Sequence, residues 1–376
     1  MAARRHGETM TILLHTCGAG CPADCSEHER ASAAVARRDR RVKTIDMHCH
    51  AFVPAVEPLV ADNPSKQQEM AAFAASQGRA SGEHNRQVML PQAMPRMLEP
   101  AIRLGDMDAM GVDIQVISPS PSQNYYWADA PLAERIVRTQ NEGIAELCAT
   151  QPTRLFGFAN VSLQHPVLAA AQLEYAVHEL GFRGVQISSS VDGAELSDPK
   201  FAPFWASAEA LDCVIFIHPF GSTLGSRLEP WYLSNIIGQP LETTIALSHL
   251  IHAGVLDRHP QLKWLGAHGG GYLASYPGRS DHGYRVRPEA GTTRYKPSHY
   301  LQRIWFDTLV ADPGVLQSLI ARYGATQIVV GTDYPFDMGA YDLHAMLEDV
   351  PGLDETQRQL ILGGNAEKLL GLAMDT

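Results

Sequence analysis

The chain has 376 residues, 45% hydrophobic and 19% charged, a length that one α/β barrel with insertions fills and a composition with ample material for a core. Its formal net charge of −11 argues against nucleic acid as the main partner, because phosphate recognition needs a basic face. No run of about 18 apolar residues is present, so no membrane-spanning helix is expected.

Residues 1–41 read as an N-terminal appendage, disordered or loosely packed, ending in the Arg-rich segment ARRDRR. The opening stretch imitates a signal peptide, but its apolar part is only Ile12, Leu13 and Leu14. That is too short for an h-region, and a cytoplasmic location is expected. Three of the six cysteines, Cys17, Cys21 and Cys25, lie in this leader without the close CxxC pairing of a familiar zinc site. Cys49, Cys148 and Cys213 sit in or beside apolar runs, where free cysteine behaves as a small buried hydrophobe.

From Lys43 onward a rhythm begins. Strands are predicted at 43–48, 112–118, 154–161, 183–188, 213–218, 262–268, 303–308 and 327–333. Most of these runs are continuously apolar, as parallel strands covered on both faces should be. Helical patterns at 131–150, 166–180, 200–211, 241–258, 312–323 and 355–371 fall between them or close the chain. The fold class is therefore α/β, a distorted (β/α)8 barrel over 42–376, with an open doubly wound sheet as the alternative. Residues 51–100 are too long for one connecting helix. They are rich in Ala, Gln, Pro, Met and Glu, with Gly78 and Gly82 as breakers, and read as an insertion over the barrel mouth, either a lid or a surface excursion.

In such a barrel, chemistry gathers at the C-terminal strand ends. The first strand ends in His48-Cys49-His50, and residues two apart on a strand face the same way. The fifth ends in His218 and the eighth in Asp333. A desolvated histidine or aspartate must be paired or ligated, since burying it alone costs several kcal/mol. Together His48, His50, His218 and Asp333 form a candidate site for one divalent metal. Zinc is the expected ion, with manganese or iron as alternatives. His268, in AHGGG at the end of the sixth strand, is free to act as acid or base; a further ligand or a structural histidine are the competing readings. Asp307 ends the seventh strand and either orients a ligand imidazole or caps the next helix. His249 and His252 lie inside a helical pattern and are expected to be packing or surface groups. Tyr125, Tyr126 and Trp127 could wall an aromatic substrate.

Several segments carry a family resemblance: IDMHCHAFVP (45–54), IFIHP (215–219), GVLDRHPQLKWLGAHGGGYL (254–273), GRSDHGYRVRP (278–288), GTDYPFDMG (331–339) and GNAEKLLGL (364–372). On these the chain resembles the amidohydrolase superfamily, in the branch of aminocarboxymuconate semialdehyde decarboxylase and related aromatic-acid decarboxylases. The resemblance implies a distorted barrel and one divalent metal, usually zinc, on His48, His50, His218 and Asp333, with His268 as the catalytic histidine and His268 or Asp333 moving the proton. It implies non-oxidative loss of CO2 from an aromatic or unsaturated carboxylic acid, a small-molecule substrate, and a homodimer or larger homo-oligomer. Arg279 and Arg287 match arginines that hold substrate carboxylate across a subunit boundary. The sequence also departs from the muconate enzyme: Phe220 and Gly221 follow HP where that enzyme has tryptophan and aspartate. Its substrate-binding arginine in the insertion aligns with Pro91, and only a gap brings Arg86 close. The main rival is metal-dependent hydrolysis of a lactone or amide on the same site; a non-enzymatic scaffold is the other.

Overall fold

The computed structural model describes residues 26–372. Eight strands form its centre: β1 (Ile45–Ala51), β2 (Ile114–Pro119), β3 (Leu155–Gly157), β4 (Gly184–Ile187), β5 (Val214–Ile217), β6 (Lys263–Gly266), β7 (Ile304–Asp307) and β8 (Ile328–Val329). Parallel ladders join β1 to β2 to β3, and β4 through β8 in order. Isolated bridges complete the ring. Ala159 pairs with Val185 between β3 and β4, while Asp46–Val330 and Cys49–Tyr334 connect the chain after β8 to β1. The expected distorted (β/α)8 barrel is what forms.

Side-chain alternation divides the apolar residues between two cores. Val214 and Phe216 join Val116, Phe158, Leu265 and Val329 inside the barrel, whereas Ile215 and Ile217 pack outward against the helices. The continuous apolar runs thus reflect burial on both faces. Helix Asn365–Leu370 contributes Leu369 and Leu370 to the interior cluster beside Ile45. Helices Ala130–Ala149 and Pro313–Tyr323 start at Asp129 and Asp312, whose carboxylates accept the Leu132 and Val315 N–H groups, caps worth about 1 kcal/mol each.

Strand β1 carries the irregularity that matters most. Its register on β2 shifts between Asp46 and Cys49, one residue in excess on β1. Before this bulge Ile45 and Met47 belong to the interior cluster; after it Cys49 and Ala51 belong to the outer one. The extra residue reverses the alternation, and this turns both His48 and His50 inward.

Most predicted strands come out shorter, and the third and eighth lose most of their length because side chains replace ladder partners. Beyond β3, Asn160 takes over: its N–H donates to Asn141 Oδ1 and its own Oδ1 accepts the Val161 N–H. Beyond β8, Gly331 N–H donates to Thr308 Oγ1 and Thr332 N–H to Asp46 Oδ1. The predicted helix 241–258 is split after His252, with Gly254 at φ +70°.

The insertion is helical. Helix Pro64–His84 kinks at Gly78 (φ +73°), where a Cβ would sit 2.8 Å from the Glu229 carbonyl oxygen; Gly82 is simply helical. A π-helical turn, Asn85–Met89, leads into helix Leu90–Leu98.

The expectation of a loose appendage is corrected for its second half. Ser26–Arg37 is a helix with Ala31 and Ala34 buried. Arg38 forks onto Asp113 (2.7 and 3.2 Å) and Arg37 pairs with Glu348. Small residues three apart bury little apolar area, so composition did not mark this docking face. Residues 1–25, with Cys17, Cys21 and Cys25, lie outside the described residues. Among those described, no helix is long and apolar enough to cross a membrane, and Cys49 and Cys213 are buried free thiols.

Candidate metal centre

His48 and His50 reach the barrel rim from β1, His218 from the residue after β5, and Asp333 from the segment following β8. Their ligand atoms lie within 4.8 Å of one another. Asp333 Oδ1 is 3.3 Å from His48 Nε2, 3.2 Å from His50 Nε2 and 4.0 Å from His218 Nε2. All four atoms are buried without a partner of hydrogen-bond geometry. Three orphaned imidazole nitrogens converging on one carboxylate oxygen are costly unless a cation completes them. Nitrogen and oxygen donors in this number suit a divalent ion, so the residues present fit one.

The surrounding hydrogen bonds fix which nitrogens point inward. His48 Nδ1–H donates to Asp307 Oδ2 at 2.7 Å, and His218 Nδ1–H to the Pro219 carbonyl at 2.8 Å. Each bond occupies Nδ1 and leaves Nε2 as the nitrogen that faces the centre, open to a proton or a metal ion. Asp307 also accepts the N–H groups of His268 (3.1 Å), Gly269 (2.8 Å) and Leu309 (3.2 Å). Of the two expected roles for Asp307, orienting an imidazole is therefore the one its geometry fits. One carboxylate holds both the His48 ring and the loop that carries His268.

Charge balance points the same way. Burial pulls His48 down, but the Asp307 and Asp333 carboxylates outweigh it and push its pKa up to about 10. Burial drives His50 down, and it drives His218 further with help from the neighbouring imidazoles. Burial and the His48 charge bring His268 down to about 4. Against burial, hydrogen bonds and charge from His48 and His50 hold Asp333 well below the usual carboxylate range. The cluster is built to receive positive charge at its centre.

His268 and Asp333 both adopt φ near +60° (+57° and +58°), a sparsely populated region for residues with a Cβ that costs on the order of 1–3 kcal/mol. The Asp307 bonds hold the first, and the Asp333 N–H to His48 carbonyl bond (2.8 Å) holds the second. The glycines after His268 serve close backbone packing: a Cβ on Gly271 (φ +62°) would fall 2.1 Å from the Pro240 carbonyl oxygen.

Three positioning residues escaped sequence reasoning. Asp46 is fully buried in the β1 bulge. Its Oδ1 accepts the His48 and Thr332 N–H groups and its Oδ2 accepts Thr332 Oγ1–H and Gln115 Nε2–H, splicing β1 to the segment that presents Asp333. Burial raises its pKa to about 6 although those bonds oppose the rise. Arg103, also buried, donates to the His50 carbonyl and to Gln115 Oε1 (2.9 Å). The visible signal was a carboxylate two positions before HxH inside an apolar run; nothing local marked Arg103 or Thr332.

The cluster borders a cavity of about 330 Å3 to which His218, His268, Asp333, Phe220, Phe336 and Arg86 all contribute. Phe220 stacks on Phe73 of the insertion, centroids 4.6 Å apart and planes 18° from parallel. Arg86, an exposed residue of the π-helical turn, lines this cavity. Arg279 and Arg287 are exposed and do not line this cavity, and Arg287 is engaged by Glu289. The aromatic wall expected from Tyr125, Tyr126 and Trp127 is corrected. Tyr125 OH and Trp127 Nε1–H are turned to Glu57 and Glu69, and Tyr126 OH accepts the Ser188 N–H; none lines the cavity. His249 lies near Glu195, and His252 Nδ1 is bonded to the Ala290 carbonyl, both away from the cluster.

A family model described as amidohydrolase matches residues 45–372. The 2-amino-3-carboxymuconate-6-semialdehyde decarboxylase of Dictyostelium discoideum is 34% identical over 276 residues, 73% of this chain and 77% of that protein. A gamma-resorcylate decarboxylase of a Polaromonas strain is 29% identical over 280 residues, 71% of this chain and 85% of its own. The solved dihydroxybenzoic acid decarboxylase of Polaromonas sp. JS666, with bound manganese and the inhibitor 2-nitroresorcinol, is 26% identical with a TM-score of 0.73, covering 89% of this chain and 98% of its own.

Proposed function

This chain belongs to the amidohydrolase family, in its branch of metal-dependent decarboxylases, and on that premise we propose that it releases CO2 from an aromatic or unsaturated hydroxycarboxylic acid without oxidation. The observation that carries the reading is the set of buried, unpartnered ligand atoms of His48, His50, His218 and Asp333 at a cavity bordered by His268. Those four residues would hold one divalent ion, for which we propose zinc. Bound there, the ion supplies Lewis acidity and a fixed positive charge beside the substrate's carboxylate or hydroxyl oxygens.

The chain's own residues do the rest. The carbon that loses CO2 takes a proton in exchange, and the electron pair of the broken C–C bond returns to the ring or diene. His268, with a buried Nδ1 that has no other partner, is assigned to carry that proton, and Asp333 is the second group within reach. Phe220 and Phe336 give the reacting ring an apolar seat. Arg86 offers a planar fork for a carboxylate, while Arg279 and Arg287 are assigned to the cavity of a neighbouring subunit in a homo-oligomer. A cytoplasmic location is part of the same reading.

The test is to load the purified protein with zinc or manganese, incubate it with a panel of hydroxybenzoates and of lactones, and trap CO2. Carbon dioxide evolved from a hydroxybenzoate, and lost in His268→Ala, is the expected result. Lactone opening with no CO2 from any acid would transfer the site to hydrolysis.

A further inference from the structure

The cavity has two walls of different chemistry. The strand ends contribute His218, His268 and Asp333, whereas the insertion contributes Met70, Phe73, Met89, Leu90, Met94 and Met97. With Met338 from the segment after β8, the cavity gathers Met70, Met89, Met94, Met97 and Met338, five of the chain's 12 methionines. Among its lining residues, the one permanent cation is Arg86. Apolar character also continues outward, since Met70, Leu90 and Met338 stay 46%, 38% and 43% exposed. Exposed apolar surface continuous with a pocket marks a place where apolar ligand is received.

Volume sharpens the point. A cavity of about 150 Å3 accepts a benzene ring, and this one measures about 330 Å3. A hydroxybenzoate is larger than benzene and fills more than half of it; the remaining space adjoins side chains that adapt to shape through three rotatable bonds and a polarisable sulfur.

We infer that the substrate is a hydroxybenzoate-type acid bearing an apolar alkyl or aryl substituent, its carboxylate between the strand ends and Arg86 and its substituent against the methionines of the insertion. This rests on the proposed reaction for the acid group and on the insertion wall for the substituent, so the two parts are measured separately. The strand-end wall sets what reacts; the insertion wall sets what is admitted. Each methylene moved from water into such a wall contributes about 0.8 kcal/mol, close to a fourfold gain in affinity.

Binding is measured by calorimetry on the metal-loaded protein with resorcinol and its 5-methyl, 5-propyl and 5-pentyl derivatives, which cannot lose CO2. Turnover is followed with the corresponding 4-alkyl-2,6-dihydroxybenzoates and with a 4-carboxy analogue. Affinity rising about fourfold per carbon up to propyl or pentyl, and flattened in Met94→Gln and Phe73→Ala, is the expected result. The same slope in kcat/KM would place the substituent there during reaction. If chain length has no effect or weakens binding, or if the 4-carboxy acid is preferred, the inference is overturned and the methionine wall is assigned to contact with another protein surface. Binding that follows chain length without CO2 release from any acid would overturn the reaction while leaving the wall's role standing.

Discussion

His218 and Met89 line one cavity, yet they are held in different ways. His218 continues a barrel strand, donates its backbone N–H to the Ile187 carbonyl and its Nδ1–H to Pro219, and has one orientation available. Met89 ends a π-helical turn in an insertion whose long helix kinks at Gly78, and packing alone places it. Around the imidazoles, Asp307 and the Pro219 carbonyl hold the His48 and His218 rings, and Asp46 and Arg103 hold the backbone at His48 and His50. Around the methionines there is no such set of bonds. The difference fits the two tasks. Ligands and proton carriers need fixed geometry, whereas a surface that selects an apolar group works by area and tolerates movement.

Experiments can break that contrast, starting where the effect should be greatest. Removing Asp333 or His48 (Asp333→Ala, His48→Ala) should take bound metal to near zero and CO2 release to background, read by elemental analysis and gas trapping. Chelator dialysis should do the same reversibly, because the side chains remain. Asp307→Asn should keep the fold but lower metal affinity or activity about 10–100-fold, as removal of an imidazole's carboxylate partner generally does. A full-strength Asp307→Asn enzyme would show that His48 needs no restraint.

On the opposite wall the effects should be smaller and fall on KM. Arg86→Ala, which removes one charge-assisted contact of about 1.5 kcal/mol, should raise KM roughly tenfold with kcat nearly unchanged, and Arg86→Lys should recover only part. Met94→Ala should change activity on unsubstituted acids by no more than about fourfold, the worth of one methylene. A loss as deep as that of Asp307→Asn would mean the insertion positions the chemistry as well.

The smallest effect is a pH dependence where the insertion begins. Burial would raise the Glu57 pKa, but hydrogen bonds from Lys66, Tyr125 and Gln123 hold it below the usual value. The unfolded chain therefore binds this proton more readily. The group's stabilisation is present above about pH 4.3 and is lost as pH falls through the lowered value. Glu57→Gln should flatten the acid limb of the unfolding curve without shifting its neutral plateau by more than a small amount. An unchanged acid limb would show that this network does not restrain the insertion.

The sequence alone determined that eight apolar runs alternate with helices, and that His48, His50, His218, His268, Asp307 and Asp333 fall at strand ends. These follow from local periodicity and from the cost of burying unpaired polar groups, both readable in short windows. Only the tertiary structure decided the β1 bulge that turns both imidazoles inward, the roles of Asp46 and Arg103, and the docking of helix Ser26–Arg37. It also brought Arg86 to the cavity and left Arg279 and Arg287 outside it. Each of these depends on which distant segment supplies a partner, such as Thr332 for Asp46, Asp113 for Arg38 or the His50 carbonyl for Arg103. Such partners are chosen by strand register and by how the chain returns on itself, and neither is written in the spacing of neighbouring residues.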